Sequence, residues 1–289
     1  MDRVLPQSLD TQKELAIRDF INQKFESEGL KHDFPNPLLR EDVLELLDRY
    51  CTVVYYPLED ENNNGFRLKE IPFLNGEKRD FVFINTAQTG EKQAFTAAHE
   101  LGHIWAVDEY IIQKYSLLGT EAEREIIINR FAAVLLMPSE LFRVTVKKRA
   151  EEYLKEDRRT IALIDLLKVV VHLMNHFYAP RKAVVLRMRE LNQIDDQTAE
   201  RLLDETSDFG ENIKKFTEEY IAECGYVNLQ NASHKKWIEG LVEVLDFADK
   251  NNAVPKNKID RLRTAFDLKK ASEASPDMDG RVSLDTQEG

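Results

Sequence analysis

Cysteine is nearly absent: only Cys51 and Cys224 occur in 289 residues, far apart in the sequence. Two thiols cannot hold a small fold together by a disulfide framework, nor supply a four-ligand structural zinc site by themselves. They read as two free thiols in a reducing, cytoplasmic setting. Positive charge is also scarce, with 40 Lys and Arg against 52 Asp and Glu and a net charge of −12. That excludes binding of nucleic acid through the overall field and leaves only local basic patches for it. No apolar run reaches the roughly 18 residues that a membrane span needs, so no membrane partner is expected. The opening MDRVLPQSLDTQKE lacks a basic stretch followed by an apolar one, so no secretory signal is expected either. Internal repeats are lacking as well.

What is present is a chain 43% hydrophobic and 32% charged. A substantial core under a well-solvated surface follows, with room for one large domain or two modest ones. Leu15, Ile17, Phe20, Ile21 and Phe25 recur at helical spacing over 11–27. Pro35 and Pro37 break the chain before a short helix at 39–50. The β-branched and aromatic run 51–56 predicts a strand that stops at Pro57. A polar turn, EDENNNG at 59–65, leads to a second strand at 66–73, which Pro72 confines to an edge or an end. A third strand falls at 80–85. Helices are then predicted at 92–106, 121–136, 139–154, 159–177, 181–192, 198–205, 212–224, 234–250 and 258–270. The fold class is α+β: a small front sheet, a helix pair packed against it, and a mainly helical C-terminal half. The expected organisation is an N-terminal and core region at 1–138, a helical segment at 139–209 and a helical C-terminal region at 210–270. A polar, Ser- and Asp-rich tail at 271–289 is expected to be disordered.

The chemistry concentrates at AFTAAHELGHIW, residues 94–105, which contains the H-E-x-x-H pattern as His99-Glu100-Leu101-Gly102-His103. One helical turn separates His99 from His103, so both imidazoles project from one face toward one point. Two neutral ring nitrogens can hold a zinc ion there. Glu100 lies beside that face, placed to take a proton from a water molecule. The pattern arises by chance in roughly one such chain in a hundred. Its flanks Ala94, Phe95, Ala97, Ala98, Leu101, Ile104 and Trp105 are apolar, so the helix is expected to be buried. Two histidines and a carboxylate buried without a partner would be costly, and a metal ion accounts for them.

A catalytic zinc needs a third protein ligand and an open position. Of Glu121, Glu123 and Glu125, Glu125 is nearest the buried part of its helix, whereas the other two suit an exposed helix start. Asn129 follows Glu125 by one turn and could orient a ligand. A rival is Glu109, six residues after His103. That placement needs a sharp bend, and Ala106 stands where a glycine would ease it, so Glu125 is preferred.

The ordered set Phe83-Ile84-Asn85, Ala94 through His103, and Glu125 with Asn129-Arg130-Phe131-Ala132-Ala133 and Leu135-Leu136-Met137-Pro138 resembles the ImmA/IrrE family of metallo-endopeptidases. The match covers about residues 40–192. The resemblance implies His99, His103 and Glu125 as Zn2+ ligands and Glu100 as the catalytic base. It also implies a helix-turn-helix-like segment after Met137-Pro138, fitted by residues 177–191, and a protein substrate that is a DNA-binding transcriptional repressor, in stress responses or on mobile elements. Ile126, Ile127 and Ile128 depart from the residues common in the family before the asparagine, and the region after Gln193 has no counterpart.

Weaker signals surround this core. His172 and His176 are also four apart, but without a following acid they read as structural. An oxyanion-stabilising group is sought among Tyr110, Tyr115, His172, His176 and Tyr178. Arg143, Lys147, Lys148 and Arg149, with Arg158 and Arg159, read as solvated helix faces. Direct nucleic-acid binding through Arg181, Lys182, Arg187 and Arg189 is the minority reading. Two alternatives stand beside a regulatory zinc peptidase. One is a non-catalytic protein- or DNA-binding regulator with a structural metal site; the other is a toxin or defence protease with the same chemistry and a different target.

Overall fold

Asp10 accepts a hydrogen bond from the backbone N–H of Lys13 at 2.9 Å. This cap satisfies one of the free donors at a helix start and opens α1 (Thr11–Ser27). The computed structural model describes residues 10–33, 38–60, 62–72, 76–154 and 160–268. The described chain divides into two units between Lys235 and Lys236.

In the first unit α2 (Asp42–Asp48) leads into β1 (Thr52–Tyr56), β2 (Gly65–Pro72) and β3 (Lys78–Asn85). β1 runs parallel to β3, with Thr52 opposite Phe81 and Tyr56 opposite Asn85. β2 runs antiparallel to β3, with an irregularity between Leu68 and Ile71, and lies at the sheet edge. Its last residue is Pro72, which an edge strand tolerates because no ladder donor is lost there. Val53, Val82 and Ile84 are buried and join the core beneath the helices.

The helices that follow are α3 (Gly90–Ile104), α4 (Val107–Tyr115), α5 (Glu121–Leu136), α6 (Ser139–Glu151), α7 (Leu163–Phe177), α8 (Arg181–Glu190), α9 (Asp196–Leu202) and α10 (Asp208–Glu223). The fold is α+β, with a small sheet followed by helices. α4 is new relative to the sequence pattern. Ala106 takes a left-handed conformation, φ 55 and ψ 40, between α3 and α4. The strain of roughly 1–2 kcal/mol for a residue with a Cβ is set against burial of Val107 and Ile111. The bend exists without a glycine.

α3 packs on α5 with little room. A Cβ built on Gly102 would lie 2.7 Å from Phe131 Cδ1 and 3.3 Å from Ile128 Cδ1. Phe131 and Ile128 are fully buried, so neither can swing into solvent. Gly102→Val is expected to destabilise the protein by about 1–3 kcal/mol through overpacking, and to weaken metal binding by spreading α3 from α5. Urea unfolding of the variant beside the wild type checks this; an unchanged midpoint would mean that α5 yields freely.

The apolar faces of α7 and α8 complete the same core, with Val169, Val170, Leu173, Val184, Val185 and Met188 all buried. The predicted basic patch on α8 is largely used inside the fold. Arg187 is fully buried and meets Glu14 Oε1 at 3.1 Å. Arg181 donates to the Leu202 carbonyl at 2.7 Å, and Arg189 to Asp196 at 2.6 Å. Only Lys182 of that group is left exposed. On α6, Arg143 pairs with Glu140 and Arg149 with Glu152, in keeping with a solvated face. Arg158 and Arg159 lie outside the described residues, as does the predicted tail.

The second unit holds a two-residue extended segment β4 (Trp237–Ile238), α11 (Leu241–Lys250) and α12 (Lys256–Ala265). Leu245, Ala248 and Ile259 form its small core. A single helix over 234–250 is predicted from the sequence, but Gly240, left-handed at φ 68, starts α11 only at Leu241. Among the described residues no helix is long and apolar enough to cross a membrane.

Candidate metal centre

His99 and His103 lie one turn apart on α3, with ring centroids 5.0 Å from each other. Glu125 enters from α5, whose start is fixed by a capping box between Thr120 and Glu123. Glu125 Oε2 lies 3.5 Å from His99 Nε2, and Oε1 lies 3.4 Å from His103 Nε2. One donor atom from each of the three residues falls within 4.8 Å of the others. Tetrahedral ligands about 2.1 Å from a divalent cation such as zinc lie about 3.4 Å from one another. The donor set therefore fits such an ion in both chemistry and spacing.

The surroundings prepare those donors. Asn129 Oδ1 lies 3.3 Å from His99 Nδ1, while Asn129 Nδ2 donates to the Glu125 carbonyl at 2.8 Å. His99 is thus engaged through Nδ1 and free to face the centre through Nε2, the arrangement that orients metal-binding imidazoles. Burial pushes the His103 imidazole down to about 4, with the neighbouring His99 acting in the same direction. At neutral pH its ring is uncharged and its lone pair is available.

Glu100 is 8% exposed. Burial raises its carboxyl above the ordinary carboxylate value, against the opposing pull of His99 and Arg67. It lines the same cleft as His99 and Glu125, a cavity of about 530 Å³. Glu109 is exposed on α4 and stands outside the cluster.

The far wall of the cleft is the polar turn after β1, which the sequence marks only as a turn. Asp60, Asn62, Asn63 and Asn64 all face the cavity. Asn85, at the end of β3 and fully buried, holds that turn. Its Nδ2 donates to the Asn63 carbonyl at 2.6 Å, and its Oδ1 accepts from the N–H groups of Leu58 and Ala87 at 2.9 and 3.0 Å. The signal for this role is a lone amide closing an apolar strand, where a buried polar side chain must find partners. Arg67 and Lys69 on β2 are cations felt by both Glu100 and His103, and no sequence motif marks them.

The candidate oxyanion groups sit elsewhere; none of the five lines the cleft among the described residues. His172 is held by the hydroxyl of Tyr226 at 2.7 Å and that of Tyr220 at 3.1 Å. His176 packs edge-on against Phe177. Tyr115 donates to the Gln12 carbonyl, Tyr110 accepts from Lys114, and the Tyr178 hydroxyl lies against Gly90.

Residues 48–189 match a peptidase family model described as the IrrE N-terminal-like domain. Residues 48–189 are thus an ImmA/IrrE-type domain. No curated protein matches the chain. A solved structure titled Mycobacterium tuberculosis transcriptional regulator is similar at 18% identity and a TM-score of 0.36, with 64% of this chain and 54% of that chain covered. The chain therefore spans about half the length of that regulator. The matched family model is named for peptidases, and the His-His-Glu cluster of this chain is compatible with a metal site.

Proposed function

We propose that this chain is a zinc-dependent metallo-endopeptidase of the cytoplasm that makes limited cuts in one protein partner, a helix-turn-helix transcriptional repressor. The observation that carries the reading is the convergence of His99, His103 and Glu125 donors within 4.8 Å, in the cleft that also buries Glu100. His99 and His103 through Nε2, and Glu125 through its carboxylate, would hold Zn2+, with Asn129 fixing the His99 ring. The ion supplies Lewis acidity, which makes water more acidic and polarises a peptide carbonyl. The Glu100 carboxylate takes a proton from the attacking water as the oxygen bonds to the carbonyl carbon. It then delivers that proton to the amide nitrogen as the C–N bond breaks.

A regulator with a purely structural metal site is the weaker reading, because such a site needs no base and Glu100 is buried at some cost beside it. A toxin or defence protease would share the chemistry and differ in target. Incubation of the zinc-loaded protein with a helix-turn-helix repressor encoded by the neighbouring gene tests the target. Mass spectrometry should find one pair of complementary fragments, absent when a zinc chelator is added. An intact repressor, or indiscriminate degradation of an unrelated unfolded protein at the same rate, would count against a dedicated regulatory peptidase.

A further inference from the structure

A second and larger cavity, about 960 Å³, adjoins the metal cleft. Asn62, Asn64, Phe95, Thr96 and Asn129 line both. The two spaces share these five residues at their border, and a chain lying across His99 and Glu125 has this path along α3 and α5 toward α8 and α10. Phe95, Met174 and Leu186 give it apolar floor.

The charges that line the larger cavity do not cancel. Arg130 is committed to Glu14 and Glu190, and Arg181 to Glu205 at 3.3 Å. Glu91 is 4% exposed, accepts from the Thr89 hydroxyl at 2.6 Å, and is pushed by burial toward its neutral form. Left over are three exposed cations, Lys92, Lys182 and Lys214, facing the exposed acid Glu218, while the other exposed acid of the lining, Glu205, is paired with Arg181. Lys92 donates only to the amide oxygen of Gln88, at 2.9 Å. Lys182 and Lys214 have no ion-pair partner among the described residues. In a chain of net charge −12 this is a locally positive trough beside the candidate catalytic centre, and such a field selects partners of opposite sign.

We propose that this second cavity is the substrate-recognition groove of the peptidase, taking an extended polypeptide segment that carries acidic side chains beside the bond to be cut. The inference rests on the peptidase reading and gives α8 and α10, which hold no catalytic motif, a part in selection. Lys182 and Lys214 act by attracting and seating the acidic segment, and take no part in bond cleavage.

Binding to the full-length Glu100→Gln protein separates recognition from turnover. Isothermal titration calorimetry would use three decapeptides of one uncharged design, carrying acidic, uncharged or basic residues at one end. The acidic peptide should bind about tenfold more tightly than the uncharged one and the basic peptide more weakly, with the spread narrowing at high ionic strength. The double variant Lys182→Glu, Lys214→Glu, made in the same background, should reverse the order. Equal affinities, no binding of any peptide, or an order unchanged by the double variant would overturn the proposal. Acid-selective binding, with the repressor left intact by the zinc-loaded wild-type protein, would instead leave the groove standing and sink the peptidase reading.

Discussion

Replacing His99 or His103 with Ala should remove most of the bound metal, from an expected content of about one zinc ion per chain to near none. Each imidazole is one of the three donors proposed among the described residues, and the remaining pair should not keep the ion against competing water and chelators. Glu125→Ala should act in the same direction, since its two oxygens face the two Nε2 atoms at 3.5 and 3.4 Å. Glu109→Ala should leave the metal content unchanged, because that side chain is exposed on α4 and outside the donor cluster. Metal analysis of the purified proteins by inductively coupled plasma mass spectrometry reads all four variants. A wild-type protein without metal under zinc-replete conditions would end the central claim. Loss of metal in Glu109→Ala, with retention in Glu125→Ala, would move the third ligand.

The second large effect belongs to Glu100→Gln. The amide keeps the size and hydrogen bonding of the side chain but cannot accept a proton, so cleavage should fall about a hundredfold or more while zinc content stays. The same substitution carries a stability signature in the metal-free protein. Burial raises the folded-state carboxyl above the ordinary value. Below the unfolded-state value the group is protonated in both states and costs nothing electrostatically. As pH rises through the folded-state value a buried charge must form, and stability is lost. Glu100→Gln should therefore raise the thermal midpoint of the metal-free protein at neutral pH and lose that advantage in acid. Unimpaired cleavage by Glu100→Gln would assign the base to another group.

The parts of this molecule that follow from local pattern were legible in the sequence. The strand at 52–56, the paired histidines one turn apart and the acidic start of α5 each depend on a few adjacent residues. Glu125, and not Glu109, lies with the two histidines, but the absence of a glycine does not prevent the bend that Glu109 would have needed. The bend after His103 does occur, at Ala106, because buried Val107 and Ile111 draw α4 onto the core. It carries Glu109 to the surface and turns Asp108 to Arg124. A left-handed alanine leaves no mark in a residue pattern. The cleft wall was illegible for another reason: Asn85 and the turn it holds are brought together by the β1–β3 pairing. Arg187 looks like surface charge when read along its helix and is buried, because its partner Glu14 comes from α1.

That last pairing ties α1 to the order in which the candidate site is assembled. Burial alone would raise the Glu14 carboxyl, but Arg187, the Ser139 hydroxyl and Arg130 together hold it below its ordinary value. Arg130 immediately follows Asn129, the residue that steadies His99. Until α1 docks, two guanidinium groups at the heart of the fold face Glu190 without this second counter-charge. A folding chain can form the histidine pair within a single helix, yet α5 gains its full electrostatic support only on closing a loop that spans more than a third of the chain. Such closure is slow relative to helix formation. Docking of the amino-terminal helix is thus coupled, through Arg130 on α5, to the support of the helix that carries Asn129 and the candidate donor Glu125.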